Sequence, residues 1–147
     1  MSRFLENVED LNTRLSAIEA GQVSTNRVVI SNGSIHSNNY FDSLEGVIRY
    51  QARSGLRITT AVVSKVGATN LSETLEIDLK TSETVNGTYE SIMTTRPSIA
   101  GSASADSSTN AAFSDNVITE NHWLRVDITS TISNISEIHI LIAAEVT

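Results

Sequence analysis

The chain has 147 residues, no cysteine, and a net charge of −7 with a pI near 4.8. That length fits one domain with a small appendage. The missing thiols exclude disulfides and thiolate metal sites and suit a protein made in a reducing bacterial cytoplasm. The acidic balance opposes nucleic-acid and anionic-membrane binding.

Residues 2–20 read as a helix, with Ser2 as N-cap and Gly21 as the glycine that ends it. "MSRFLENVEDLN" has no apolar core of the signal-peptide kind. Phe4, Val8, Leu11, Leu15 and Ile18 are spaced 4, 3, 4 and 3 apart, the heptad pattern. Val8 and Leu15 take a positions; Phe4, Leu11 and Ile18 take d positions. In "RLSAIE", Arg14 then falls at g and Glu19 at e, placed to form an ion pair between neighbouring helices. So short a helix is marginal alone in water. It must lie on its own domain or on copies of itself, and the heptads together with "RLSAIE" favour three copies. The expected domains are a trimerisation helix over 1–21 and a β-domain over 22–147.

After a connector at 22–29 the pattern turns to alternation. "RVVISNG" predicts a strand ending in an Asn32–Gly33 turn, and "SLEGVIRYQARSG" predicts another ending at Ser54–Gly55. In "LRITTAVVSKVG", Leu56, Ile58, Thr60 and Val62 are expected on one face. In "SETLEIDLKTS", Leu75, Ile77 and Leu79 face inward, and Glu76, Asp78 and Lys80 form a wet face. "NGTYESIMTTRP" opens on an Asn86–Gly87 turn and stops near Pro97. Residues 98–116 are small and polar and predict a long loop with an extended piece around "AAFS". "HWLRVDITST" places Leu124, Val126 and Ile128 inward, and "EIHILIAAEV" does the same for Ile138, Ile140, Ile142 and Ala144. Seven or eight such strands predict an antiparallel β-sandwich or jelly roll. No apolar run is long enough for a membrane-spanning helix.

Chemistry-bearing patterns are sparse. His36, His122 and His139 have no metal-ligand spacing, and no nucleophile elbow or phosphate loop occurs. The expectation is a protein that is not an enzyme and needs no cofactor or metal. The acidic pieces "SADSS" and "SDN" lack the calcium-loop pattern. A sugar site would pair an aromatic face with amides and carboxylates. The candidates are Tyr89 beside Asn86, Trp123 beside Asn121 and His122, and above all "SNNYFDS". There Asn38, Asn39, Tyr40, Phe41 and Asp42 are the candidate ligand contacts.

The layout resembles the small trimeric proteins of tailed-bacteriophage virions: fibres, spikes and head-decoration proteins. The likeness is carried by "RLSAIE" and by "LEGVIRYQARSGLRI", "TLEIDLKTSETVNGTYESIM" and "HWLRVDI" in a Ser/Thr/Asn-rich, cysteine-free chain. It implies a structural homotrimer on the virion surface, held by Phe4, Val8, Leu11, Arg14, Leu15, Ile18 and Glu19. Its implied partners are other virion proteins and a host-surface glycan. A tail-fibre knob is the first expectation and a capsid decoration protein the second. A monomeric carbohydrate-binding module is the competing class.

Overall fold

A computed structural model describes residues 26–38, 40–67 and 70–147. The expected helix, its trimerisation residues Phe4 to Glu19 and the boundary after Gly21 lie outside the described residues. Within them the protein is mainly β, with several sheets and no helix.

The strands run β1 (Arg27–His36), β2 (Tyr40–Phe41), β3 (Leu44–Gln51), β4 (Leu56–Lys65), β5 (Leu75–Ser82), β6 (Glu90–Ser91) and β7 (Met93–Thr95). They continue through β8 (Ser98–Ile99), β9 (Ala112–Phe113), β10 (Val117–Ile118), β11 (Trp123–Ile128), β12 (Ile132–Ser133) and β13 (Glu137–Val146). One sheet has the order β1-β13-β4-β10, and a second has β3-β11-β5-β6 with β8 also on β5. Two small pairs, β12-β2 and β7-β9, complete the pairing, and every pairing is antiparallel. From β1 to β5 the longer strands alternate between the two main sheets, and most neighbours in a sheet are distant in sequence.

Both main sheets turn apolar residues into one core. It holds Leu56, Ile58, Val63, Ile138, Ile140 and Ile142 from the first, and Leu75, Ile77, Leu79, Leu124 and Val126 from the second. Full burial of one such side chain contributes roughly 1.5–3 kcal/mol. The alternation expected for β11 and β13 holds. In β5, Leu75, Ile77 and Leu79 are buried as expected. The chain also turns near Asn86–Gly87, but over Thr84–Gly87 with Val85 and Asn86 at the centre, closed by the Gly87 N–H donating to the Thr84 carbonyl at 3.1 Å.

Three local expectations need correction. Asn32 and Gly33 make no turn: both lie inside β1, opposite Leu141 and Ile140 of β13. The two-residue hairpin turn that Asn-Gly favours needs positive φ at its central residues, and Gly33 does not adopt it. In β4 the inward face is Leu56 and Ile58, then Ala61 and Val63 rather than Thr60 and Val62. A register shift against β13, between Ala143 and Ala144, inserts one residue at Thr59 and reverses the alternation beyond it. Finally, Asp78 on the expected wet face of β5 is wholly buried.

The polar stretch 98–116 contributes β8, β9 and a bridge between Ser107 and Ser64. It is tied to the sheets by backbone bonds from Leu71 N–H to the Gly101 carbonyl, Lys65 N–H to the Asp106 carbonyl and Ser108 N–H to the Val63 carbonyl. The extended piece at "AAFS" is β9, which pairs with β7.

Candidate interaction surfaces

The outer face of the second sheet carries the densest chemistry. Directly opposite residues of antiparallel strands share a face. Arg49, Arg125 and Lys80 therefore form one row across β3, β11 and β5, and Asp127 and Asp78 form the next. Within each row the charges are alike, which is unfavourable for opposed pairs. Attraction between the rows offsets it. Arg125 Nε lies 2.9 Å from Asp127 Oδ1, and its Nη2 donates to Oδ2 at 2.9 Å. Lys80 Nζ lies 3.3 Å from Asp127 Oδ2 and 4.0 Å from Asp78 Oδ2. Arg96 reaches in from beyond β7, with Nη2 at 3.2 Å from Asp78 Oδ2 and Nη1 donating to Glu76 Oε1 at 3.2 Å.

Neutral groups complete the lattice. Ser91 donates to Asp78 Oδ1 at 2.6 Å, and the Gly46 N–H donates to Asp127 Oδ1 at 2.8 Å. The second bond explains a local irregularity. Between Leu44 and Ile48 the β3 strand bulges against Asp127, and Gly46 adopts φ 70°. A side chain there would enter the left-handed region and meet Arg49 Nε at 2.8 Å. Tyr89 closes one side. Its ring lies 4.4 Å under the Arg125 guanidinium and 5.8 Å from that of Arg49, and its hydroxyl donates to the Val85 carbonyl.

The lattice pairs its charges with one another, although the buried Arg125 Nε, 2.9 Å from Asp127 Oδ1, is not aligned for a hydrogen bond. An open groove of about 330 Å³ runs past it, lined by Ser43, Glu45, Lys80, Arg96, Asp127 and Thr129 among others. Asp78 Oδ2 has no aligned hydrogen bond, but Arg96 and Lys80 cover it and solvent does not reach it. Among the described residues no cluster of three or more His, Asp or Glu side chains is placed to hold a metal ion.

The expected ligand loop is split by burial. Tyr40 is 47% exposed, and Asn38 and Asp42 are also exposed. Phe41 is a core side chain and cannot touch a ligand, because β2 pairs with β12 and turns its ring inward. Asn39 lies outside the described residues. Of the other aromatic candidates, Tyr89 lies under the two arginines, and Trp123 is half-buried opposite Ser82 and Gln51.

A second open groove, of about 430 Å³, lies at the β5–β6 turn. Hydroxyls of Thr81, Ser82, Thr84 and Thr88 line it with Glu83, Glu90 and His122. It offers hydrogen bonds but no aromatic face for stacking. His122 is therefore near polar groups, as "ENHW" suggests, but they come from the β5–β6 turn. His36 sits 3.7 Å from Glu137 at the far end of β1, and His139 lies opposite Ser34 and Ser64. The three histidines are not brought together.

No protein-family model, no curated protein and no solved structure matches the chain.

Proposed function

We propose that this chain is a structural, non-enzymatic virion protein of a tailed bacteriophage: a homotrimeric knob of a tail fibre or spike, engaged in host attachment. The single observation that carries this reading is the joining of two features. One is the heptad segment with "RLSAIE" at residues 4–19. The other is the strand order that follows it, β1-β13-β4-β10 against β3-β11-β5-β6. We read that order as the two-sheet arrangement of a jelly roll, an architecture of capsid and lectin domains. Fold alone does not specify function, so the heptads supply the step from jelly roll to a fibrous assembly.

The chemistry supports an attachment role. Three copies raise the avidity of weak individual contacts. The exposed residues Asn38, Tyr40 and Asp42 suit a sugar, whose apolar face stacks on an aromatic ring while its hydroxyls bond to amides and carboxylates. The self-paired charges of the second sheet suit a surface that must stay soluble and rigid outside a cell. Decoration of the capsid uses the same trimer and differs only in its place on the particle.

Quantitative mass spectrometry of purified particles of the encoding phage tests the proposal. Copy numbers in multiples of three, lost when tails are removed, are expected. Retention on tail-free heads selects capsid decoration. Absence from particles contradicts both.

A further inference from the structure

The two main sheets present very different outer faces. The second carries the cation and carboxylate rows described above. On the first, three consecutive rows contain no Asp, Glu, Lys or Arg. They are Val29–Ala143–Thr60, Asn32–Leu141–Val62 and Ser34–His139–Ser64, each running across β1, β13 and β4. Charges return only at the ends, as Arg27–Glu145–Arg57 on one side and His36–Glu137 on the other. Val29 is 56% exposed. In an acidic protein a sheet face open to water on both sides of its core gains solubility from charge, as the other sheet illustrates.

We infer that this uncharged face of β1-β13-β4 turns toward a threefold axis and packs against the same sheet in two further copies of this chain. The inference rests on the trimer reading above and names the β-domain surface that the trimer buries. Two observations commit the face to that occupant. First, β1 is both the edge of this sheet and the first strand after the heptad segment. Five residues separate Gly21 from Arg27, a reach of at most about 20 Å. The start of β1 is therefore held near the axis of any coil formed by residues 4–19, and the charged sheet, on the other side of the core, faces away.

Second, the size of the face fits a tethered contact. Strands about 4.8 Å apart and same-face rows about 6.7 Å apart give three rows on three strands an area of about 300 Å². A free-standing interface needs about 800 Å² from each partner. This face cannot hold copies together unaided, but it can set their orientation once a coil raises their effective concentration. Ala143 is already covered by its neighbours, and small side chains such as Thr60 and Ser34 beside it let three twisted sheets approach closely.

The native chain has no cysteine, so one introduced thiol is unique. Asn32→Cys places it on the uncharged face and Glu90→Cys places it on the charged sheet; both positions are exposed in the single chain. Each full-length variant is treated with a short bis-maleimide, while sedimentation equilibrium on the same sample reports native mass. The expected result is a trimeric mass for both, with covalent dimers at least several-fold more abundant for Asn32→Cys. Thr60→Cys, on the neighbouring row, repeats the test should Asn32→Cys fold poorly. A trimer whose Asn32→Cys yield does not exceed that of Glu90→Cys overturns the assigned face and leaves the trimer standing. A monomeric mass overturns both.

Discussion

Replacing Asp127 by alanine removes the keystone of the charged lattice. Its carboxylate accepts from the Gly46 N–H and is within 3.3 Å of Arg125 and Lys80, and it is only 4% exposed. The alanine variant leaves Arg125, whose side chain is 11% exposed, with Glu45 as its nearest carboxylate at 3.7 Å. Removing one partner of a buried pair costs about 3–5 kcal/mol, because the other charge stays buried without compensation. Glu45 and the Tyr89 ring soften that loss, so about 3 kcal/mol is expected. At this chain length that corresponds to about 10 °C in Tm. Urea unfolding followed by fluorescence of the single tryptophan, Trp123, reads it at fixed protein concentration. The midpoint should fall with an unchanged slope. Glu45→Ala, at a site 77% exposed, should stay within about 0.5 kcal/mol. A loss below about 1 kcal/mol for Asp127→Ala would refute the reading of Asp127 as the carboxylate that compensates the buried Arg125.

Other substitutions separate core from surface. Phe41→Ala should cost about 3–5 kcal/mol by the same assay, whereas Tyr40→Ala, one residue away and exposed, should cost less than about 0.5 kcal/mol and weaken binding on a glycan array. Gly46→Ala should cost about 1–2 kcal/mol by thermal melting, from the left-handed backbone and the displaced Arg49. Ile140→Ala, at the centre of β13 and fully buried, should cost about 2–5 kcal/mol in urea.

Where one alternation period controls a strand, the sequence is easy to read. Leu75, Ile77 and Leu79, like Ile138, Ile140 and Ile142, declare an inward face, and the core follows from them. Readings fail where pairing overrides the local pattern. The bulge at Thr59 exchanges the two faces of β4, and nothing in "LRITTAVV" marks the extra residue, which only its partner β13 defines. Asn32–Gly33 has the composition of a hairpin turn, yet the long pairing with β13 holds it extended. Asp78 looks solvated because Glu76 and Lys80 flank it. Its burial comes from Ser91 and Arg96, thirteen and eighteen residues later in the chain. The charged lattice was therefore illegible as a unit, although Arg, Lys and Asp in two alternating strands were a partial signal. Of "SNNYFDS", the sequence conveyed an exposed polar stretch but not which ring faces out.

Sedimentation equilibrium of the full chain, beside its Leu15→Asp variant, tests the trimer most directly. The expected native mass is near three times 15.9 kDa and falls toward a single chain in the variant, because a buried carboxylate at an a position cannot be accommodated. A wild-type chain that sediments as a monomer at all concentrations would contradict the fibre and decoration readings together.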